Sequence, residues 1–178
     1  TYKPKKEKGE IFEVINLCDI NMIKGTWLIL ARTNPLLKPI SSILKNKGLF
    51  FKTVDGNSIA KNLYEDKLNW DKMRKGETIP EIQEQRLLEK IKGKPNFNLE
   101  WYDAFTNVAS AKIDYLRVML SNGEKIDKDP RITVSTIHSA KGGEATNVVL
   151  FLNQTINTMR AANKSIYKQD EEYRVWYV

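Results

Sequence analysis

Cysteine occurs once in this sequence of 178 residues, at Cys18, and histidine once, at His138. A single thiol cannot close a disulfide within the chain, and no cluster of cysteines or histidines exists to hold a zinc ion. No metal site is therefore expected. Cys18 has no adjacent cluster of cations to activate it and reads as core filler. Long apolar runs are missing too: none reaches the ~18 residues of a membrane span, and no apolar signal-peptide core follows the lysine-rich start. These absences predict an intracellular, cytoplasmic protein with no membrane partner. No Gly-x-x-x-x-Gly-Lys-[Ser/Thr] string occurs either. The chain thus has no loop of its own to cradle the β- and γ-phosphates of a nucleotide or to place magnesium.

What is present fits one folded domain. Hydrophobic residues make up 41% and aromatics 10%, enough for a core and against disorder. The net charge of +7 suits a polyanion partner, although 22 acidic residues make the surface mixed and charge alone decides nothing.

Along the chain, Lys3, Lys5, Lys6 and Lys8 form a charged lead-in, as expected of a cut inside a longer protein. Residues 10–17, with Ile11, Phe12, Val14 and Ile15, form a candidate strand, or a strand running into a short helical turn. A clearer strand covers 26–31 and ends at Arg32. Asn34-Pro35 then supplies an N-cap and a first-turn proline. The helix beyond places Leu36, Leu37, Ile40, Ile43 and Leu44 on one face, and Gly48 closes it. Residues 49–54 give the next strand, ended by an Asp55-Gly56 turn, which completes a βαβ unit.

Residues 57–129 have a different texture and read as a small, mostly helical insert. Leu63, Leu68, Trp70 and Met73 mark a first helix. Thr78-Ile-Pro-Glu81 resembles a capping box that starts a second helix through Ile91. A third helical stretch over 99–120, with a possible break near Thr106-Asn107, ends at Asn122-Gly123. Trp70, Trp101 and Trp176 could stack on bases, but their spacing among apolar residues favours the core. Lysines 61, 67, 72, 75, 90, 92 and 94 could follow a phosphate backbone or simply face solvent.

The stretch 131–152 organises the rest. Two β-branched runs, 132–137 and 148–152, are nearly continuous in hydrophobicity and predict parallel strands buried on both faces. Between them lie Thr136, His138, Ser139, Lys141, Gly142, Gly143 and Glu144. Ligands in open α/β sheets bind at the carboxyl ends of strands. Hydroxyls, an imidazole, a cation and two glycines suit phosphates or a nucleic-acid backbone, with Glu144 available for a sugar hydroxyl. The residues alone leave a second account open, in which His138 and Ser139 cap a helix and Lys141 is solvated.

Thr136-Ile-His-Ser-Ala-Lys-Gly-Gly-Glu144 resembles motif V of the UvrD/Rep-like superfamily 1 DNA helicases, Thr-x-His-x-x-Lys-Gly-Leu-Glu. Trp27-Leu-Ile-Leu-Ala-Arg-Thr-Asn34 resembles motif IV, and Asp170-Glu-Glu-Tyr-Arg-Val-Trp-Tyr-Val178 the opening of motif VI. The three occur in the family's order and span residues 27–178. The resemblance implies a second RecA-like motor domain: an α/β fold with a parallel sheet flanked by helices, formed by 1–56 and 130–178 around the insert. It implies an ATP-dependent DNA helicase of repair or replication, with ATP and Mg2+ held mainly by an N-terminal RecA-like domain of the same polypeptide. By itself the piece is expected to be inactive, because it has neither a Walker A nor a Walker B motif; nothing strand-like precedes Asp170-Glu171.

Carried over residue by residue, Arg32 becomes the catalytic arginine that meets the terminal phosphate. Gly142 and Glu144 approach the nucleotide, the latter at its ribose. Thr136 and His138, with Ser139 and Lys141 beside them, contact single-stranded DNA. Arg174 braces motif VI, Glu171 and Glu172 match its acidic pair, and the family's second phosphate-sensing arginine would lie beyond Val178. Three positions depart from the pattern. Ala31 replaces the usual adenine-stacking aromatic, Gly143 replaces leucine, and Ala145-Thr146 replaces Phe-x. Two other readings stay open: a non-catalytic nucleic-acid-binding module of helicase ancestry, and a helicase-like subunit of a recombination nuclease complex. Compact, insert-reduced relatives hint at a bacterial or phage source.

Overall fold

The computed structural model describes residues 9–162, 167–170 and 174. Its centre is the strand β1, Trp27–Ala31, where Ile29 and Ala31 are fully buried. The chain continues through α1 (Asn34–Asn46), β2 (Phe51–Thr53) and β3 (Gly56–Asn57). Four helices follow: α2 (Lys61–Arg74), α3 (Glu81–Leu88), α4 (Trp101–Ala104) and α5 (Ser110–Ser121). It returns to the sheet as β4 (Ile132–Thr136) and β5 (Asn147–Phe151), then forms α6 (Ile156–Ala162). The fold is α/β, a five-stranded mixed sheet in the order β3-β2-β4-β1-β5 flanked by helices.

Four strands are parallel, and β3 is not, which corrects the expectation of an all-parallel sheet. The Asp55-Gly56 turn is too tight for a crossover and lays β3 antiparallel beside β2, with Lys52 opposite Asn57. β5 corrects a second expectation. Among the described residues only one of its edges is paired, and Val148 and Leu150 are exposed, so it is not buried on both faces. Hydrophobicity along a strand cannot tell a central position from an edge.

Residues 10–17 form no strand, and Ile11 and Ile15 are fully exposed. Their apolar side chains come as adjacent pairs, not in alternation, so no single strand face collects them. Only a 3-10 turn forms, Leu17–Asp19, with the Asn16 side chain accepting from the Cys18 amide at 3.0 Å. Cys18 is exposed, not core.

Thr33, not Asn34, is the extended N-cap residue of α1, and Asn34 is already helical. Leu37, Ile40 and Leu44 carry the buried face, and Gly48 takes the left-handed conformation just past the helix end. The expected capping box does not form. Pro80 is the extended N-cap of α3, which leaves Thr78 two residues too far upstream, and α3 ends at Leu88. The break expected near Thr106-Asn107 separates α4 from α5.

Among the helices that follow β3, Trp70 is fully buried against Phe97 and Phe105, with ring centroids 4.9 Å and 6.0 Å away. Trp101 belongs to the same cluster, so both tryptophans are core, while Trp176 lies outside the described residues. Arg86 of α3 donates to the fully buried Asp66 of α2 at 2.7 Å and to Glu65 at 3.2 Å. The Asp66 hydrogen bond, with both carboxylates adding their attraction, raises the Arg86 pKa further.

The buried cluster is continuous from the sheet into these helices. At the junction Tyr115 of α5 donates to the Leu49 carbonyl at 2.6 Å and shares a 2.7 Å hydrogen bond with Ser58. Burial pushes its phenol up to about 12. Asn122 donates to the Lys47 carbonyl at 2.8 Å, and Arg131 pairs with Glu124 at 2.7 Å.

Residues 167–170 are helical, and most of the 170–178 stretch, including Glu171 and Glu172, lies outside the described residues. Among the described residues no helix is long and apolar enough to cross a membrane, and no acidic, histidine or cysteine cluster gathers as a metal site.

Candidate functional site

β1 and β4 lie side by side and parallel, with Ala31 registered against Thr136. The residues that leave these two strands therefore emerge together at one carboxyl edge. The Ile137 amide donates to the Ala31 carbonyl at 3.0 Å and extends the pairing one step past the strands. That step fixes His138 beside Arg32, whose Nη1 lies 3.1 Å from His138 Nε2. A guanidinium has only donors, so Nε2 accepts, and the neutral ring carries its proton on Nδ1.

Thr136 and Ser139 hold the loop in shape. The Thr136 hydroxyl donates to Ser139 Oγ at 2.9 Å and accepts from the Ser139 amide at 3.3 Å, while the Ala140 amide donates to the Thr136 carbonyl at 3.0 Å. The chain then turns through Gly142, at φ +81°, and runs to β5 with no helix between. His138 and Ser139 thus cap no helix, against that account of the loop, while its other half, a solvated Lys141, agrees with the structure. Lys141 is exposed beyond the turn.

Gly143 has a steric reason. Its amide donates to the Ala140 carbonyl at 2.8 Å, and a Cβ there would stand 3.0 Å from that oxygen and 3.8 Å from Leu28 Cδ2. A leucine at 143 would crowd a backbone that here folds back on itself.

The polar residues of this loop do not all share one site. Arg32, Thr136, His138 and Ser139 gather at the carboxyl edge. Glu144 is exposed on the limb that descends to β5, two residues before Thr146, whose amide is tied at 2.9 Å to Thr26 Oγ1, just before β1. Ala31 is completely buried, so this position offers no stacking surface.

Thr33 is the residue that sequence reasoning passed over. Its Oγ1 is buried without a hydrogen-bond partner, next to Arg32 and at the start of α1, whose first amides have no side-chain cap. A threonine directly before Asn-Pro carried that signal, because the N-cap is where threonine competes best. The edge therefore combines a guanidinium, an imidazole, hydroxyls and a helix start, the groups that receive anionic oxygens. No protein-family model matches this chain, and no curated protein or solved structure matches it.

Proposed function

We propose that this chain is the second, RecA-like motor domain of an ATP-dependent UvrD-like DNA helicase. The observation that carries the reading is the 3.1 Å contact between Arg32 and His138. The fold joins the arginine of one resembling motif to the histidine of another, although 105 residues separate them in the chain. The parallel strands β2, β4, β1 and β5 suit such a domain, with the helical insert between β3 and β4.

The residues present fit one wall of a nucleotide site. Arg32 would meet the terminal phosphate of ATP and offset charge that develops there, with Gly142 allowing close approach. Thr136, His138, Ser139 and Lys141 would contact single-stranded DNA. Glu144 stands on the limb away from Arg32, and its role at the ribose rests on the resemblance. Magnesium and the phosphate cradle belong to the N-terminal RecA-like domain expected in the same polypeptide, since no P-loop string occurs here. Each ligand would favour one of two arrangements of the two domains, and alternation between them moves the strand.

A second reading draws on Ala31 and Gly143. A buried alanine at the stacking position and a loop folded tightly at 143 favour a nucleic-acid-binding module without catalysis. One experiment separates the two. In the full-length protein, Arg32→Ala is expected to abolish DNA-stimulated ATP turnover while leaving the thermal unfolding midpoint unchanged. Unaltered turnover would remove the role given to Arg32, and an intact protein with no turnover at all would favour the binding module.

A further inference from the structure

A cleft of about 880 Å³ opens where the insert meets the sheet, far from Arg32. Lys45 and Asn46, in the last turn of α1, line it. Arg32 precedes the first turn of that helix, and 13 helical residues put the two ends about 20 Å apart. Lys90 and Asn107 contribute from the loops after α3 and α4, and Lys112 from the first turn of α5.

These three lysines have no ion-pair partner among the described residues. Asp114 is the only carboxylate residue in the lining, so the cleft is net positive. Two helices begin on its wall, α2 after Ala60 and α5 after Ala109, and neither has a side-chain cap. Their amides add to a field that the lysines set. The floor is fixed, because the Tyr115 hydroxyl is committed to Leu49 and Ser58.

The lining also lacks two things. It has no arginine to read a base or carboxylate with a fork, and no aromatic other than Tyr115 to stack on a base. Ammonium groups without a stacking platform suit phosphodiester oxygens, contacts that carry no sequence information, and the Asn46 and Asn107 carboxamides can donate to the same oxygens. We infer that this cleft binds the sugar-phosphate backbone of a nucleic-acid strand, independently of base sequence, as a contact separate from the carboxyl edge of the sheet.

The test measures binding of the whole chain to a labelled, mixed-sequence single strand of about 20 nucleotides across a salt series. Replacing Lys45, Lys90 and Lys112 together by glutamine is expected to lower affinity on the order of 100-fold at low salt and to reduce the slope of log K against log salt by about 2. A control replaces Lys72, Lys75 and Lys128, exposed lysines outside the cleft, with the same change in net charge. Equal losses in the two variants, or an unchanged slope in the first with its melting intact, would overturn the inference. So would inorganic tripolyphosphate that binds as tightly as the strand, because the site would then belong to a small anion. Arg32→Ala should leave the slope change intact, so failure here and failure of the helicase reading are separable.

Discussion

The guanidinium of Arg32 donates to Nε2 of His138 across the ends of two neighbouring parallel strands. This fixes the imidazole tautomer, with the ring proton on Nδ1. The chain contains one histidine, so the ring 15N spectrum holds a single pair of signals. At neutral pH those signals are expected to show Nδ1 protonated. Arg32→Ala should move the spectrum toward the Nε2-protonated form, and a native spectrum already in that form would contradict the contact.

Gly48 lies under α5 at φ +63°, where a Cβ would be 2.3 Å from Val118 Cγ1. Gly48→Ala combines left-handed strain with overpacking and is expected to cost about 2–4 kcal/mol in urea unfolding. Adding Val118→Ala removes the methyl in the way and should recover part of that loss. Equal stability of the single and double variants would show that the Val118 methyl is not the obstacle, and would leave the left-handed strain and the 2.8 Å approach to Asn122 Nδ2.

Asp66 is fully buried, and its second oxygen has no hydrogen-bond partner. Arg86→Ala would strand the carboxylate and is expected to cost about 3–5 kcal/mol. The pair Asp66→Leu with Arg86→Met should restore most of the stability, because it removes the charge along with its partner. A small loss for Arg86→Ala in chemical unfolding would contradict the burial.

Tyr115 should make the fold sensitive to alkali. Burial raises its pKa to about 12 from the ordinary value of 10.0, so between these values the folded state binds the proton more tightly than the unfolded one. This contribution is complete below pH 10 and is lost as pH rises through about 12. Tyr115→Phe is expected to lower stability at pH 9 by roughly 1–2 kcal/mol, through two lost hydrogen bonds, and to remove that part of the alkaline decline. Parallel stability profiles for the two proteins between pH 9 and about 12 would argue against it.

The β1-α1-β2 unit was legible because each boundary carries its own punctuation: Arg32 after an apolar run, Asn-Pro in the first helical turn, Gly48 past the last. The placement of Arg32 with Thr136, His138 and Ser139 at one edge followed from both groups sitting at the ends of parallel strands. Their contact was not legible, since it depends on β4 lying next to β1, and strand order is a property of the whole chain. The same holds for β5, whose Val148 and Leu150 resemble core residues until it is seen to be the last strand of the sheet among the described residues. Residues 10–17 misled because apolar composition suggested a strand that apolar spacing could not support.

The Tyr115 anchor and the continuous apolar interior have a mechanical outcome. Helices α2 to α5 cannot swing away from the sheet like an arm on a hinge without tearing out a buried phenol and exposing a shared interior. Any rigid-body motion would therefore carry sheet and helices as one block, with the carboxyl edge and the lysine cleft held at a fixed separation.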